Sequence, residues 1–471
     1  MNKKNGKQPS LSELIGLLHY AKKDSSIKGI YIKCAENPNG YAATEEIRKA
    51  LIDFKKSNKF IVAYAETISQ KGYMMANVAD QIYTHPQGGM EWAGFNYETI
   101  FFKGLIDKLE IEPQIFYAGK FKSATEPFRY AQMSEANKLQ TGIWLNSIYN
   151  NFIQGAAEMR HLNADSIKAF ANEGKVQNAK DALKYKLVDG LIYDDQLKKI
   201  ISKKLRVADE TKISFVSINN YAESVALRGT GSGKIAVIYA DGDVVMGKGQ
   251  NEAIASDDYR VLIQKIRNDK SIDAVVLRVN SPGGSALASD IIWREIDLLK
   301  KEKPVIVSMG DVAASGGYYI ACGADSIFAD ANTITGSIGV FSVIPNIEGF
   351  MKNKIGIMQG RLSEKPGQPL QSFPWDSWKK EFERANSIGF NQIEWLVDGD
   401  KDKDNPISLK DGQKEIARLS KKYNISTIEL QDVWNQCNIY VKGSMCSTSG
   451  KNYEIKVYNI VIIHFFFFPF L

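Results

Sequence analysis

Two glycine-rich loops carry the residues best suited to chemistry. Ser315 lies in the segment DVAASGGY, where small residues between a predicted strand and a predicted helix leave its hydroxyl exposed. The amide of Gly316 stands at the start of that helix, where it faces developing negative charge. A second loop, NSPGGS, offers the amides of Gly283 and Gly284 at another helix start. This combination predicts a nucleophilic serine beside an oxyanion hole, which is the chemistry of acyl transfer.

The base that would activate this serine is harder to find. The chain has four histidines, and none stands beside a candidate nucleophile in the sequence: His19, His85, His161 and His464. A lysine serves as a base if its pKa falls by about three units, which corresponds to about 4 kcal/mol of desolvation. Lys120 and Lys122 are the candidates, in the segment YAGKFKSATEPF, and the residues alone leave both open.

An internal repeat positions these loops. From Ser26 and Ser271 onward, about seventy residues align at one offset without a gap, and pairs such as Ile61 and Ile306 are identical. Each copy alternates short β-branched runs with helical segments, which predicts parallel α/β layers. The predicted strands are Gly29–Cys34, Phe60–Tyr64, Ala274–Val279 and Val305–Met309, and the predicted helices are Thr44–Lys56, Tyr73–Ala79, Ser289–Lys301 and Tyr318–Ala324.

The two copies differ where chemistry is expected. Gln70 stands where the second copy has Ser315, and Asn37-Pro38-Asn39 stands where the second copy has Pro-Gly-Gly. One copy therefore keeps a nucleophile and a glycine loop, and the other has neither.

Composition excludes several function classes. The net charge is +6, from 60 basic and 54 acidic residues, and the charged residues are evenly spread along the sequence. The sequence therefore has no basic cluster that would indicate nucleic-acid binding. The four cysteines have no zinc spacing, and we expect Cys34 and Cys322 to be buried thiols. Residues 1–10 do not resemble a signal peptide. Residues 457–471 are strongly apolar but fall short of the ~20 residues of a membrane-spanning helix.

Four motifs, KFKSATEPF, NSPGGS, MGDVAASGGYYI and TGSIGVF, carry a family resemblance. Together they resemble the two-repeat, SppA-type signal peptide peptidases (protease IV) of peptidase family S49, over about residues 10–350. The resemblance implies two tandem ClpP/crotonase-like domains and a Ser/Lys dyad. It assigns the nucleophile to Ser315 and the base to Lys122 rather than Lys120, and it implies that Ser337 helps to hold the lysine.

The same resemblance implies a biological setting. The protein would cleave remnant signal peptides or other hydrophobic peptides at the extracytoplasmic face of the cell membrane. It would form a ring-like homo-oligomer, a tetramer in the family, with no metal, nucleotide or nucleic acid. From the sequence we expect this chain to lack the family's membrane anchor.

The resemblance divides the chain into parts. Residues 1–227 form the repeat that supplies the lysine, 228–234 a linker, and 235–350 the repeat that carries the serine. Residues 351–425 resemble the incomplete opening β-α-β of a xylose-isomerase-like TIM barrel, and 426–471 stay unassigned. We interpret this junction as a fused or mis-assembled reading frame, or else as a lineage-specific extension. Glu394 could be a metal ligand, but its partner ligands are missing, so we expect no isomerase activity.

Three other interpretations of the function of the repeats stay open. A crotonase-like acyl-CoA enzyme would share the paired oxyanion loops but would not need Ser315 together with Lys122. A ClpP-type peptidase would use a histidine after the serine, and residues 321–347 contain none. An inactive scaffold would lack an abnormally nucleophilic Ser315.

Overall fold

The computed structural model of the protein describes residues 8–225, 231, 233–249, 253–352, 356–363, 373–395 and 404–429. Most of the predicted linker and tail, with Cys437, Cys446 and His464, lies outside the described residues. The chain divides into two compact units. The first comprises Met1–Ile100, Phe116–Glu126 and Gln132–Ser342, and the second comprises Phe101–Ile115, Pro127–Ala131 and Val343–Leu471.

The first repeat contains a four-stranded parallel sheet in the order β1-β2-β3-β5. Its strands are β1 (Gly29–Lys33), β2 (Phe60–Ile68), β3 (Gln81–Met90), β4 (Glu112–Tyr117) and β5 (Gly190–Leu191). Its helices are α1 (Leu11–Lys23), α2 (Tyr41–Lys55), α3 (Gln70–Ala76), α4 (Lys103–Lys108), α5 (Glu126–Arg129), α6 (Glu135–Arg160), α7 (Ala164–Asn172), α8 (Ala179–Lys184), α9 (Asp194–Leu205) and α10 (Ile218–Ser224).

Both faces of this first sheet are covered. On one face, buried Ile61 and Ile82 pack with Phe54 of α2 in the main apolar cluster. On the other face, Leu197 and Ile201 of α9 pack against the sheet in a smaller cluster. A sheet that is buried on both faces needs strands that are apolar throughout, which is why β2 reads as a continuous apolar run.

The second repeat forms a five-stranded parallel sheet in the order β11-β10-β9-β6, with β12 also paired to β10. Its strands are β6 (Ile235–Asp241), β7 (Val244–Val245), β8 (Ile254–Ala255), β9 (Ala274–Ser281), β10 (Val305–Ala314), β11 (Ser326–Phe328), β12 (Ile334–Gly336) and β13 (Phe341–Asn346), of which β13 pairs with β4. Its helices are α11 (Ser256–Asn268), α12 (Ala286–Lys300), α13 (Gly316–Ala321) and α14 (Glu348–Lys352).

The register of the strands corrects the ungapped repeat alignment. Ile30 pairs with Ile61, whereas Val275, the counterpart of Ile30, pairs with Val305. Ile61 is therefore the structural counterpart of Val305 and not of the identical Ile306. The burial agrees, because Ile61 is fully buried and Ile306 is 38% exposed on the opposite face. A shift of one residue moves a strand side chain to the other face, so the sequence identity at this pair was misleading.

The one-residue shift between the repeats is reversed by an additional residue in a bulge of β10. In β2 a single residue, Glu66, separates the two segments that pair with β3, at Ala65 and Thr67. In β10 the corresponding turn holds two residues, Gly310 and Asp311. The second repeat thus has one residue fewer before β10 and one more within it, immediately upstream of the candidate serine.

The last part of the chain forms a three-stranded parallel sheet in the order β14-β15-β16. Its elements are β14 (Gly356–Met358), α15 (Trp378–Ile388), β15 (Gln392–Trp395), α16 (Lys410–Tyr423) and β16 (Ser426–Glu429). Trp395, Phe373 and Phe382 form its buried core. The predicted β-α-β pattern is confirmed, and a further helix and strand extend it. Glu394 lies within β15, and burial raises the pKa of its carboxyl group.

The predicted fold class, tandem α/β repeats followed by a β-α-β segment, is confirmed, whereas several boundaries and one burial prediction are wrong. The helix predicted from Ser289 begins at Ala286, and β10 continues beyond Met309 to Ala314. Cys34 is buried as expected, but Cys322 is exposed. Cys322 is the C-cap residue that follows the end of α13 at Ala321, and its thiol donates to the carbonyl of Tyr319 at 3.1 Å.

Candidate active site

Ser315 lies at a sharp turn between β10 and α13. Its backbone has φ 49° and ψ −115°, a conformation that non-glycine residues rarely adopt. Its amide donates to the carbonyl of Gly336 at 3.1 Å, which fixes the turn against β12. A Cβ on Gly316 would lie 2.5 Å from the Ser289 hydroxyl, so only glycine fits directly after the serine. Backbone strain of this kind is commonly held at functional sites.

Lys122 reaches the serine from the first repeat. Its Nζ lies 3.1 Å from the Ser315 Oγ and donates to the main-chain carbonyl of Ser337 at 3.0 Å. The predicted site residues Ser315, Lys122 and Ser337 are therefore brought together. The contact with Ser337 is made by its main-chain carbonyl. Ser337 itself has a φ of 47°, which turns that carbonyl toward the lysine.

The surroundings of Lys122 favour its neutral form. The residue is only 3% exposed, and burial lowers the pKa of its ammonium group. Its Nζ also lies 5.6 Å from the centre of the Phe341 ring. Lys120 points elsewhere, because it is exposed and lies over the ring of Phe121 at 5.8 Å. The geometry therefore separates the two lysines that the residues alone left open.

The segment that carries Lys122 is anchored to helix α6. Buried Glu126 accepts hydrogen bonds from the hydroxyl of Ser134, at 2.6 Å, and from the side-chain amide of Asn137, at 2.9 Å. Gln140 donates to the hydroxyl of Ser123 at 2.9 Å. These bonds hold the turn on both sides of Lys122, so the backbone from which its long side chain extends is fixed in place.

The two glycines of the other loop have different roles. The amide of Gly283 donates to the Ser281 hydroxyl at 3.1 Å. Among the described residues, the amides of Gly284 and Gly316 have no recorded protein acceptor. Both glycines of the loop are conformationally required, with φ 103° for Gly283 and 154° for Gly284. The predicted oxyanion donors thus narrow to Gly284 and Gly316, while Gly283 shapes the loop.

Asn280 and Ser281 were missed by the sequence reasoning. The Oδ1 of Asn280 accepts the amides of Asp311 and Val312, both at 3.1 Å, so it joins the start of the glycine loop to the bulge before Ser315. The polar residues of NSPGGS that precede the glycines were the available signal. The role of these residues could not be predicted from the sequence, because it depends on which backbone amide donates to each side chain.

Gln70 occupies the corresponding turn of the first repeat, where its side-chain amide is hydrogen-bonded through both its oxygen and its nitrogen. Its side chain donates to the carbonyl of Gly94 at 2.9 Å and accepts the amides of Ala93 and Gly94, both at 3.1 Å. It holds a loop in place and presents no free nucleophile.

The described parts of the chain offer neither a metal-binding cluster nor a histidine bonded to Ser315. They contain no group of three or more His, Cys, Asp or Glu residues able to hold a metal ion. Among their hydrogen bonds, the side-chain partner of the Ser315 hydroxyl is Lys122, and no histidine contacts it.

Comparison with known proteins identifies the family. The model described as Peptidase family S49 matches residues 53–226 and 297–362. Protease 4 of Haemophilus influenzae is 36% identical over 365 residues, which are 74% of this chain and 58% of that protein. The chloroplastic serine protease SPPA of Arabidopsis thaliana is 33% identical over 397 residues, 81% of this chain and 58% of that protein. The putative signal peptide peptidase SppA of Enterococcus faecium is 30% identical over 209 residues, 39% of this chain and 60% of that protein.

The extent of these matches has two consequences. The chain spans somewhat less than two thirds of the length of each of these relatives. The second range of the family match runs to residue 362, past the predicted end of the second repeat, and includes Ser315 and Ser337. The first range includes Lys122. Because the two ranges together cover about half of the chain, the chain belongs to peptidase family S49.

Proposed function

We propose that this protein is a serine peptidase in which Ser315 is the nucleophile and Lys122 is the general base. The observation that carries the proposal is the buried Nζ of Lys122 at 3.1 Å from the Ser315 hydroxyl oxygen. Burial lowers the pKa of Lys122, which raises the share of the neutral amine that can accept a proton. The family membership and the names of the relatives support the same reaction class.

The mechanism follows from the positions of four groups. Neutral Lys122 takes the proton of the Ser315 hydroxyl as the oxygen attacks the scissile carbonyl. The amides of Gly284 and Gly316 donate to the resulting oxyanion. Lys122 then returns the proton to the leaving amine, and an acyl-enzyme remains on Ser315. Water attacks that ester, with Lys122 again as the base, and releases the carboxylic acid.

The proposed substrates are remnant signal peptides or other hydrophobic peptides. Large apolar side chains are exposed on the segments that flank Lys122 and follow Ser337: Phe116, Phe121, Ile338, Val340 and Phe341. Exposed apolar surface of this kind is typical of a binding site for an apolar partner. The name of the relative from Enterococcus faecium, a putative signal peptide peptidase, agrees with this substrate class.

Action at the extracytoplasmic face of a membrane is part of the same proposal. In the described ranges, no helix has the length and apolar character needed to cross a bilayer. Membrane association is tested by fractionation of cells that express this chain, with recovery in the membrane pellet expected and recovery in the soluble fraction against it.

Covalent labelling by a fluorophosphonate probe tests the reaction. We expect the wild type to be labelled and Ser315→Ala and Lys122→Ala to lose labelling by about a thousandfold or more, with Lys120→Ala as a matched control that keeps it. Labelling untouched by Ser315→Ala would contradict the assigned site. An unlabelled, folded wild type would favour an inactive scaffold, and acyl-CoA turnover without labelling would favour a crotonase-like enzyme.

We also propose that copies of the chain join as the two repeats do. Within the chain, Arg278 of the second repeat pairs with Glu46 of α2 at 2.6 Å. The corresponding surface of the first repeat, with Lys33 and Glu66, lines a cavity of about 450 Å³. Tyr64, 5% exposed, lines the same cavity, and its hydroxyl has no recorded partner among the described residues.

A second copy's helix α12 is the proposed occupant of this cavity, because α12 corresponds to α2. Head-to-tail contacts of this kind close into rings when the rotation allows it. We expect light scattering to show an oligomer for the wild type, and smaller species for Glu66→Arg and for Leu287→Arg, an exposed residue of α12. Glu223→Arg, on exposed α10, is the control. A monomeric wild type would contradict the proposal.

A further inference from the structure

The carboxylate of Asp311 joins the two repeats. Its Oδ1 accepts hydrogen bonds from the amides of Ala42, at 2.8 Å, and Ala43, at 3.0 Å, in the first turn of α2. The N-cap residue of this helix is Gly40, which provides no side-chain cap. A Cβ on Gly40 would lie 2.1 Å from the Asp311 Cγ, so the glycine makes room for the carboxylate. A helix of the first repeat is therefore capped by an acidic residue of the second.

The same residue is tied to the reacting groups on its own repeat. Asp311 lies in the bulge of β10, four residues before Ser315. Its amide donates to Asn280, the first residue of the loop that carries Gly284. Movement of the Asp311 backbone would therefore shift both the nucleophile and one oxyanion donor.

A second contact holds the same helix. The guanidinium of Arg278 bonds to Glu46 of α2 at 2.6 Å and to the hydroxyl of Ser308 on β10 at 2.8 Å. Helix α2 is thus held at its first turn by Asp311 and one turn later by Arg278. The bulge of the first repeat holds one residue, Glu66, whereas the bulge of β10 holds two. The repeat with the additional bulge residue is therefore also the one whose bulge caps a helix of the other repeat.

We propose that Asp311 is a positioning residue that holds Ser315 of the second repeat against Lys122 of the first. The inference rests on the proposed function, because the dyad is the pair of groups that it aligns. A dyad divided between two repeats depends on their relative placement, and small displacements of reacting groups are costly. A misplacement of 1 Å can lower a rate by about 100-fold.

Steady-state kinetics on a hydrophobic peptide substrate test this role with two variants. In Asp311→Ala we expect kcat to fall about 100-fold with little change in KM. We also expect the acid limb of the kcat/KM profile to move to higher pH, because a less enclosed Lys122 is better solvated. Asp311→Asn keeps an oxygen that accepts the two amides, so it should recover most of kcat. Asn163→Ala removes a side-chain cap from α7, a helix of the first repeat that carries neither Ser315 nor Lys122, and should leave kcat unchanged.

Hydrogen exchange of the peptide that spans residues 40–48 gives a readout that does not depend on catalysis. Faster exchange in Asp311→Ala than in the wild type is expected, because the amides of Ala42 and Ala43 lose their acceptor. An unchanged kcat in Asp311→Ala would overturn the proposal, and so would a loss of kcat that Asp311→Asn does not recover and that leaves the pH profile in place. If the wild type neither cleaves peptides nor reacts with the fluorophosphonate, the proposed function has failed. In that case hydrogen exchange alone tests the contact between Asp311 and helix α2. Faster exchange in Asp311→Ala would support the contact, and unchanged exchange would overturn it.

Discussion

The two repeats share one succession of strands and helices, yet they end their second strand in different ways. In the second repeat Ser315 has φ 49° and ψ −115°, and its side chain does not cap the helix that follows. In the first repeat Ser69 has φ −73° and ψ 158°, and its hydroxyl accepts the amide of Gly72. One turn is an ordinary capped helix start, and the other holds a strained serine whose hydroxyl meets Lys122.

The glycine loop shows the same contrast. In the second repeat, Gly284 and Gly316 keep amides without a recorded acceptor among the described residues. In the first, the side chain of Asn37 donates to Thr44 at 2.7 Å and accepts the amide of Asn39 at 3.1 Å. A loop that satisfies its own polar groups is stable but offers nothing to a substrate. The loop of the second repeat, in contrast, leaves amides available that the proposed function uses as oxyanion donors.

The first repeat retains a different part of the chemistry. It supplies Lys122, and it supplies helix α2, to which Asp311 and Arg278 bind. The first repeat thus lacks a serine at the corresponding turn but carries the proposed base. Under the proposed function, the two repeats form one divided site.

Restoring the serine to the first repeat is the strongest test of this comparison. Ser315→Ala should lower kcat by three orders of magnitude or more. Adding Gln70→Ser to that variant should restore nothing, because position 70 has neither the strained turn nor a buried lysine. The control, Gln70→Ser alone, should keep activity and lower the free energy of unfolding by about 2 kcal/mol through lost hydrogen bonds. Hydrolysis and labelling by the double variant would show that the first repeat holds a latent site.

Matched substitutions in the two loops should have a smaller effect. A Cβ at Gly284 would lie 2.1 Å from the Val244 carbonyl oxygen, and the residue has a φ of 154°. Gly284→Ala should therefore displace an oxyanion donor and lower kcat by about 10²–10³-fold. Asn39→Ala, the counterpart in the first repeat, should change kcat by less than about twofold. Equal effects in a peptide hydrolysis assay would mean that the glycine loop is structural only.

Much of this site could be predicted from the sequence. The repeat, Ser315 and the two glycine loops follow from residue types and spacing. Small residues between a strand and a helix are also common in tight turns, but the pairing of two such loops and their absence from the first copy favour a functional site. The choice of Lys122 over Lys120 needed the family resemblance. Neighbouring lysines look alike in a sequence, and their difference is burial, which depends on the partner repeat.

Other features could not be predicted because they depend on atoms that are distant in the chain. Which glycine keeps a free amide is decided by the Ser281 side chain, and the role of Ser337 is decided by its carbonyl rather than by its hydroxyl. The one-residue shift in β10 was hidden by the chance identity of Ile61 and Ile306. Sequence alignment favours matching letters, whereas pairing and burial place these two residues on opposite faces.

The buried lysine predicts a last and smaller difference, in stability. Burial lowers the pKa of folded Lys122 below its ordinary value of 10.5. Between the lowered pKa and 10.5 the unfolded chain binds more protons than the folded one, so the free energy of unfolding rises with pH across that window. Below the lowered pKa the folded state carries the full cost of a buried, protonated lysine.

Lys122→Met removes that cost while it abolishes the proposed base. We expect the variant to be more stable than the wild type by about 1 kcal/mol at neutral pH, with the margin disappearing as the pH approaches 10.5. Lys120→Met, at an exposed position, should show no such margin. Urea titrations of the three proteins over this pH range measure it. A margin that is absent, or that grows with pH, would mean that burial does not lower the pKa of Lys122, and the catalytic difference between the repeats would then need another base.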